Sequence, residues 1–184
     1  MGNREVLKRG DLQMTSAGTG IRHSEKAHGQ KPVHFLQIWA QPSQRGLQPQ
    51  YFTRHFSDAE KKDQWVRVVA PAGSDGVVEK REASGPAPVH APLTMFASLI
   101  SPGTTLKHTL PSAPAQRKAY IHVVQTSGYN PGRANGAQLK LSGGGESLVL
   151  REGDGAYIMG DAGATLEVNN DGDRVAEVIL FDLE

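Results

Sequence analysis

Apolar residues in this chain come in short runs, most of them alternating with polar residues, and glycine and proline punctuate the gaps between runs. A period of two places apolar side chains on one face of an extended strand, so the pattern predicts sheets with a buried face rather than long helices. Strands are expected over "VHFLQIWAQ" (33–41), "QWVRVVA" (64–70), "TMFASLIS" (94–101), "AYIHVVQ" (119–125), "AQLKLSG" (137–143) and "AEVILFDL" (176–183). One short surface helix is expected in "FSDAEKKDQ", where Ser57 and Glu60 have the spacing of a capping box. The glycine triplet in "SGGGES" (142–147) suits a hairpin turn better than a phosphate cradle. A stretch rich in glycine, proline and charge, 71–86, is expected to link a unit at 1–70 to a second at 87–184.

An internal repeat sharpens this picture. "LKRGDLQMTSAG" (7–18) and "LREGDGAYIMGDAG" (150–163) both carry leucine, two charged residues and Gly-Asp ahead of a strand, and both close on Ala-Gly. Gly10-Asp11 and Gly153-Asp154 suit tight turns, because glycine tolerates positive φ and aspartate caps its own backbone. About sixty residues of strand-like sequence precede the second pair within its unit but only nine precede the first, so the first copy is expected to be short of its front half. Superposing the Ala-Gly pairs sets His23 against Val168 and Glu25 against Asn170.

Composition narrows the chemistry. The chain has 184 residues, 38% of them hydrophobic, enough for a packed core. It has 20 basic and 19 acidic side chains, and this balance supplies no charge excess for direct binding to DNA or RNA. No apolar run approaches the roughly 18 residues that span a bilayer, and "MGNREVLKRGD" lacks the apolar centre of a signal peptide, so no membrane association and a cytoplasmic location are expected. With no cysteine, any metal must be held by imidazole and carboxylate. Phosphate loops, nucleophile elbows and zinc-type clusters are all missing from the sequence.

"TSAGTGIRHSE" (15–25) carries the one pairing with ligand chemistry. If 21–25 is extended, His23 and Glu25 project from one face about 6.5 to 7 Å apart at Cα, within reach of one ion. Imidazole plus carboxylate suits Fe(II), Mn, Ni, Cu or Zn, although two ligands fall short of the three or four usual in metal centres, and a surface histidine beside an acid has the same appearance. His28, His34, His55, His90, His108 and His122 show no ligand spacing, and His34 reads as an ordinary strand residue.

The run "GDLQMTSAGTGIRHSE", the "LQIWAQP" that follows it and the closing "AEVILFDL" together resemble the pirin family over the whole chain. The resemblance implies an all-β fold of tandem cupin barrels (RmlC-like jelly rolls), here a partial N-terminal barrel and a complete C-terminal one. In pirins the first barrel binds one metal, usually iron, through His-x-His on an early strand and His-x-Glu on a later one. His23 and Glu25 match the later pair, with Glu25 also the candidate catalytic residue. Met1-Gly2-Asn3 falls where family members are already deep in that barrel, so the His-x-His strand is expected to be absent, through truncation, an internal start or a short isoform. The second barrel normally lacks ligands, as Val168 and Asn170 suggest here.

Fe(II) is the metal this resemblance favours, with Ni, Cu, Mn and Zn as alternatives. Some bacterial pirins act as quercetin 2,3-dioxygenases, which implies a flavonol-like small molecule as substrate, with Gly18, Gly20 and "TSAG" shaping the pocket. Eukaryotic pirins are nuclear iron-dependent coregulators, which implies a protein partner and a non-enzymatic role instead; an inactive short form is the third reading. The exposed edges of a half barrel invite pairing with a second copy, and such a homodimer would pool His23 and Glu25 into a four-ligand site on a twofold axis.

Overall fold

The computed structural model describes residues 4–128 and 135–183; Met1, Gly2 and Asn3 lie outside them. The described chain is almost entirely strand and loop: β1 (Asp11–Ser16), β2 (Gln50–His55), α1 (Asp58–Lys61), β3 (Val66–Pro71), β4 (Ala87–Val89), β5 (Leu93–Ile100), β6 (Thr105–Thr109), β7 (Gln116–Val123), β8 (Gln138–Gly143), β9 (Glu146–Arg151), β10 (Gly155–Asp161), β11 (Thr165–Asn169) and β12 (Ala176–Leu183). A six-stranded sheet in the order β10-β7-β12-β5-β3-β4 faces a four-stranded sheet in the order β6-β11-β8-β9, and β1 and β2 form an antiparallel pair of their own. Among the described residues no helix is long and apolar enough to cross a membrane.

The space between the two large sheets is filled by Ile121, Val123, Val178 and Leu180 from one side and Leu139, Leu141, Leu166 and Val168 from the other, all buried. Strand β12 runs through the middle of its sheet, paired with β5 and β7. Its alternate residues Ile179 and Phe181 point to the opposite face and pack with Met95, Val69 and Phe56. Both faces of β12 are covered, which is why "AEVILFDL" is nearly continuously apolar instead of alternating. Leu12 and Met14 of β1 join this outer cluster, so the N-terminal strand pair docks on the back of the six-stranded sheet.

Strands β3, β5, β7, β8 and β12 lie where the alternation predicts them, and Gly144-Gly145 make the β8–β9 turn, both at positive φ. Helix α1 has the expected capping box: the Ser57 hydroxyl accepts from the Glu60 N–H, while Glu60 accepts from the Ser57 N–H at 2.7 Å. Two expectations are corrected. The strand at 33–41 does not form: the segment is irregular and exposed, and among the described residues no strand pairs with it. Period-two patterning gives a strand only where a partner satisfies its backbone groups. Nor is 71–86 a free connection, since β3 ahead of it belongs to the six-stranded sheet. Buried Arg54 then donates to the carbonyls of Val78, Lys80 and Arg81, fastening the stretch to β2.

Candidate metal centre

Beyond β1 the chain turns sharply. Gly18 takes φ +53°, and a Cβ there would overlap the Leu47 carbonyl; Thr19 N–H donates to that carbonyl at 2.9 Å and Gly20 N–H to Ala17 O at 2.8 Å. Glycine is required at this position for both reasons. Residues 21–25 that follow pair with no strand among the described residues, and His23 and Glu25 are exposed.

Glu25 is nevertheless tied to the strand pair. Its Oε1 accepts a hydrogen bond from Gln13 Nε2. The Tyr51 hydroxyl lies 3.1 Å from Gln13 Oε1 and 2.7 Å from Glu5 Oε2, and Arg81 pairs with Glu5 while its guanidinium sits 5.8 Å from the Tyr51 ring centre. Glu5 is held below the usual carboxylate range, first by the Tyr51 hydroxyl and then by Arg81. Burial, then the neighbouring Glu5, push the Tyr51 phenol well above its ordinary value, so it stays a neutral hydroxyl. The row Arg81, Glu5, Tyr51, Gln13, Glu25 thus steadies one carboxylate on an otherwise irregular segment.

Imidazole and carboxylate are the right donors for a first-row divalent ion, and an amide bonded to the ligand carboxylate is a usual outer partner. In number the donors stop at two: among the described residues no group of three or more His, Asp or Glu comes together to hold a metal. His55 does not join them, being engaged through Nδ1 with Asp11 Oδ1 at 2.6 Å. The repeat positions in the second copy are structural. Val168 is core, and buried Asn170 donates through Nδ2 to the carbonyls of Ile100 (2.7 Å) and Arg174 (2.8 Å) and accepts from Gly172 N–H.

Two buried polar groupings escaped the sequence reading. His108 Nε2 lies 2.9 Å from Asp182 Oδ1, both side chains buried, with the imidazole edge-on to Phe96 and Trp65. The signal was present but weak: each is the polar member of an inward-facing row, His108 beside Leu106 and Leu110, Asp182 beside Val178 and Leu180. Buried Glu152 accepts from the Thr126 hydroxyl at 2.7 Å and from the hydroxyl and N–H of Ser127. Burial alone would raise this carboxyl, but the Ser127 and Thr126 bonds outweigh it and pull it down to about 2.

An open groove of about 350 Å³ lies on the back of the six-stranded sheet, between Leu36–Trp39 and a floor that includes Tyr120, His122, Ile179 and Phe181. Tyr120 packs against Tyr157 at 4.9 Å between ring centres. Burial, then His34, depress the His122 imidazole, which favours its neutral form.

The facing six- and four-stranded sheets around one apolar core define a cupin-type β-barrel protein. The sequence pattern of the family described as Pirin matches residues 1–40. The chain is 28% identical over 184 residues to the quercetin 2,3-dioxygenase of Escherichia coli K12, and equally so to that of E. coli O157:H7, covering 100% of this chain and 65% of each relative. It superposes on the crystal structure of the bacterial pirin YhhW from E. coli in complex with nickel(II) with a TM-score of 0.69 and 26% identity, over 99% of this chain and 65% of that one. These comparisons liken the chain to the pirin family, and it spans about 65% of the length of these relatives.

Proposed function

We propose that this chain is a metal-binding pirin in which His23 and Glu25 ligate one divalent ion, Fe(II) or Ni(II) before Cu, Mn or Zn, and that its chemistry is dioxygenation of a flavonol-like substrate of the quercetin type. The observation that carries the reading is the Gln13 amide bonded to Glu25 Oε1: it holds the carboxylate two positions along the chain from His23 and leaves Oε2 to meet a cation or take a proton from an acidic flavonol hydroxyl. A bound ion at this pair would supply Lewis-acid and redox chemistry toward the substrate oxygens and dioxygen. The names of the E. coli relatives support the reaction class, and the nickel in YhhW supports a divalent ion.

A second reading, a non-enzymatic interaction protein, is favoured by the exposure of both ligands and by Trp39 and Tyr157, which stand 88% and 85% exposed beside the apolar groove. Oxygen uptake with quercetin separates the two. Metal-dependent uptake by the nickel- or iron-loaded chain, abolished in the double variant His23→Ala, Glu25→Ala, is the expected result. Metal bound without uptake selects the interaction role, and uptake untouched by the double variant overturns the assignment of the site.

A further inference from the structure

The two faces of the β1–β2 pair have different tasks. Leu12 and Met14 pack on the back of the six-stranded sheet, so Gln13 and Thr15 point the other way, and the antiparallel register sets them beside Thr53 and Tyr51. Gln13 and Tyr51 are therefore diagonal neighbours on one face. The Tyr51 hydroxyl lies 3.1 Å from Gln13 Oε1 and 2.7 Å from Glu5 Oε2, and Glu5 pairs in turn with Arg81. The phenol shares its hydrogen between these oxygens. At its other end the Gln13 amide donates from Nε2 to Glu25 Oε1. Only this orientation gives both ends of the amide a partner: turned over, it would set its carbonyl oxygen against the Glu25 carboxylate, acceptor against acceptor with no hydrogen between them.

We propose that Tyr51 is a positioning residue that sets the metal preference of His23 and Glu25 by keeping the carbonyl end of Gln13 away from the carboxylate, a role that rests on the reading of Glu25 as a ligand. With the Gln13 N–H on Oε1, Glu25 meets an ion through its other oxygen alone. A single carboxylate oxygen beside an imidazole suits nickel and iron, whereas carboxylate and amide carbonyl oxygens together suit manganese, calcium and magnesium. Without the Tyr51 hydroxyl the carbonyl end of Gln13 loses its donor, and a cation at Glu25 can draw that oxygen in as a further hard ligand. The role holds whatever other donors complete the centre, since it concerns only the amide already bonded to Glu25.

Binding of nickel(II) and of manganese(II) by the wild type, Tyr51→Phe and Gln13→Glu tests it, with the Gln13 side-chain amide followed by nuclear magnetic resonance before any ion is added. Phenylalanine keeps the ring that the Arg81 guanidinium approaches at 5.8 Å, so only the hydroxyl is removed. Tyr51→Phe should weaken nickel about tenfold while manganese holds, so that the nickel-to-manganese ratio falls about tenfold. Gln13→Glu should narrow the ratio in the same direction, by putting an oxygen where the N–H stood. Without any ion, the Gln13 Nε2 signals should shift in both Glu25→Ala and Tyr51→Phe. An equal loss of both ions in Tyr51→Phe, or an unchanged ratio, overturns the role of the hydroxyl while leaving His23 and Glu25 as ligands, and so do amide signals indifferent to either substitution. A wild type whose amide responds to both substitutions but which binds neither ion fails on the metal reading instead, and the selectivity role falls with it.

Discussion

The turns at Gly10-Asp11 and Gly153-Asp154 fold alike, and the chain beyond them does not. Both glycines sit at φ +85°. Asp11 N–H donates to Lys8 O at 3.0 Å and Asp154 N–H to Arg151 O at 2.9 Å; in return each carboxylate accepts from the backbone N–H three residues earlier, at 2.6 and 2.8 Å. Each turn feeds a strand, β1 or β10, that closes on an Ala-Gly turn. After β10 the chain becomes β11, hydrogen-bonded to β6 and β8 and carrying buried Leu166 and Val168. After β1 the corresponding residues 21–25 remain irregular, with no strand beside them among the described residues. Local sequence is enough to make the turn; a neighbour on each edge is needed to make the strand.

The sharpest way to break this contrast is to truncate an apolar side chain on each side of it. Leu180→Ala in the barrel should cost about 2–5 kcal/mol, because the site is fully buried between packed sheets. Ile38→Ala in the irregular segment should stay within about 0.5 kcal/mol when chemical denaturation is followed on the monomer. Equal costs would mean that 33–41 is packed as a core strand after all.

Glu152 provides a pH-dependent version of the same test, since its partners tie the end of β9 to the loop after β7. Its folded value, about 2, lies below the ordinary 4.5, so its stabilisation is fully present above pH 4.5 and is lost as pH falls toward 2. Glu152→Gln should remove up to about 3 kcal/mol at pH 6, with the gap to wild type closing by pH 2. A gap independent of pH would assign the effect to packing instead. Gly136 opposite has no room for a side chain, because a Cβ there would overlap this carboxylate.

The twin turns give the smallest effect and the finest discrimination. At Gly153 an added methyl meets nothing closer than 3.9 Å, so Gly153→Ala should cost only the left-handed backbone penalty of about 1–2 kcal/mol, read in the cooperative transition of the barrel. At Gly10 the methyl would also overlap the Phe56 carbonyl. Gly10→Ala should therefore speed hydrogen exchange in β1 and β2 while leaving the barrel transition nearly in place.

Legibility in the sequence followed the same division. β12, β7 and β8 were visible because long apolar or alternating runs coincide with buried positions. β2, β4, β6, β9 and β11 were not singled out: they are short or carry polar residues outward, as in "TLKHT", where Leu106 and His108 turn inward. The segment 33–41 had the right period and the wrong surroundings. The setting of Glu25 is not written in the sequence around it, because the bond from Gln13 and its support by Tyr51 arise from the β1–β2 pairing. His108 and Asp182, 74 positions apart, meet only when β6 and β12 close the barrel.

Metal content per chain, by elemental analysis of the purified wild type beside the His23→Ala, Glu25→Ala double variant, tests the central claim most directly. Expected is iron or nickel in the wild type and its loss in the variant. The same metal content in both proteins would contradict the assignment of His23 and Glu25 as ligands.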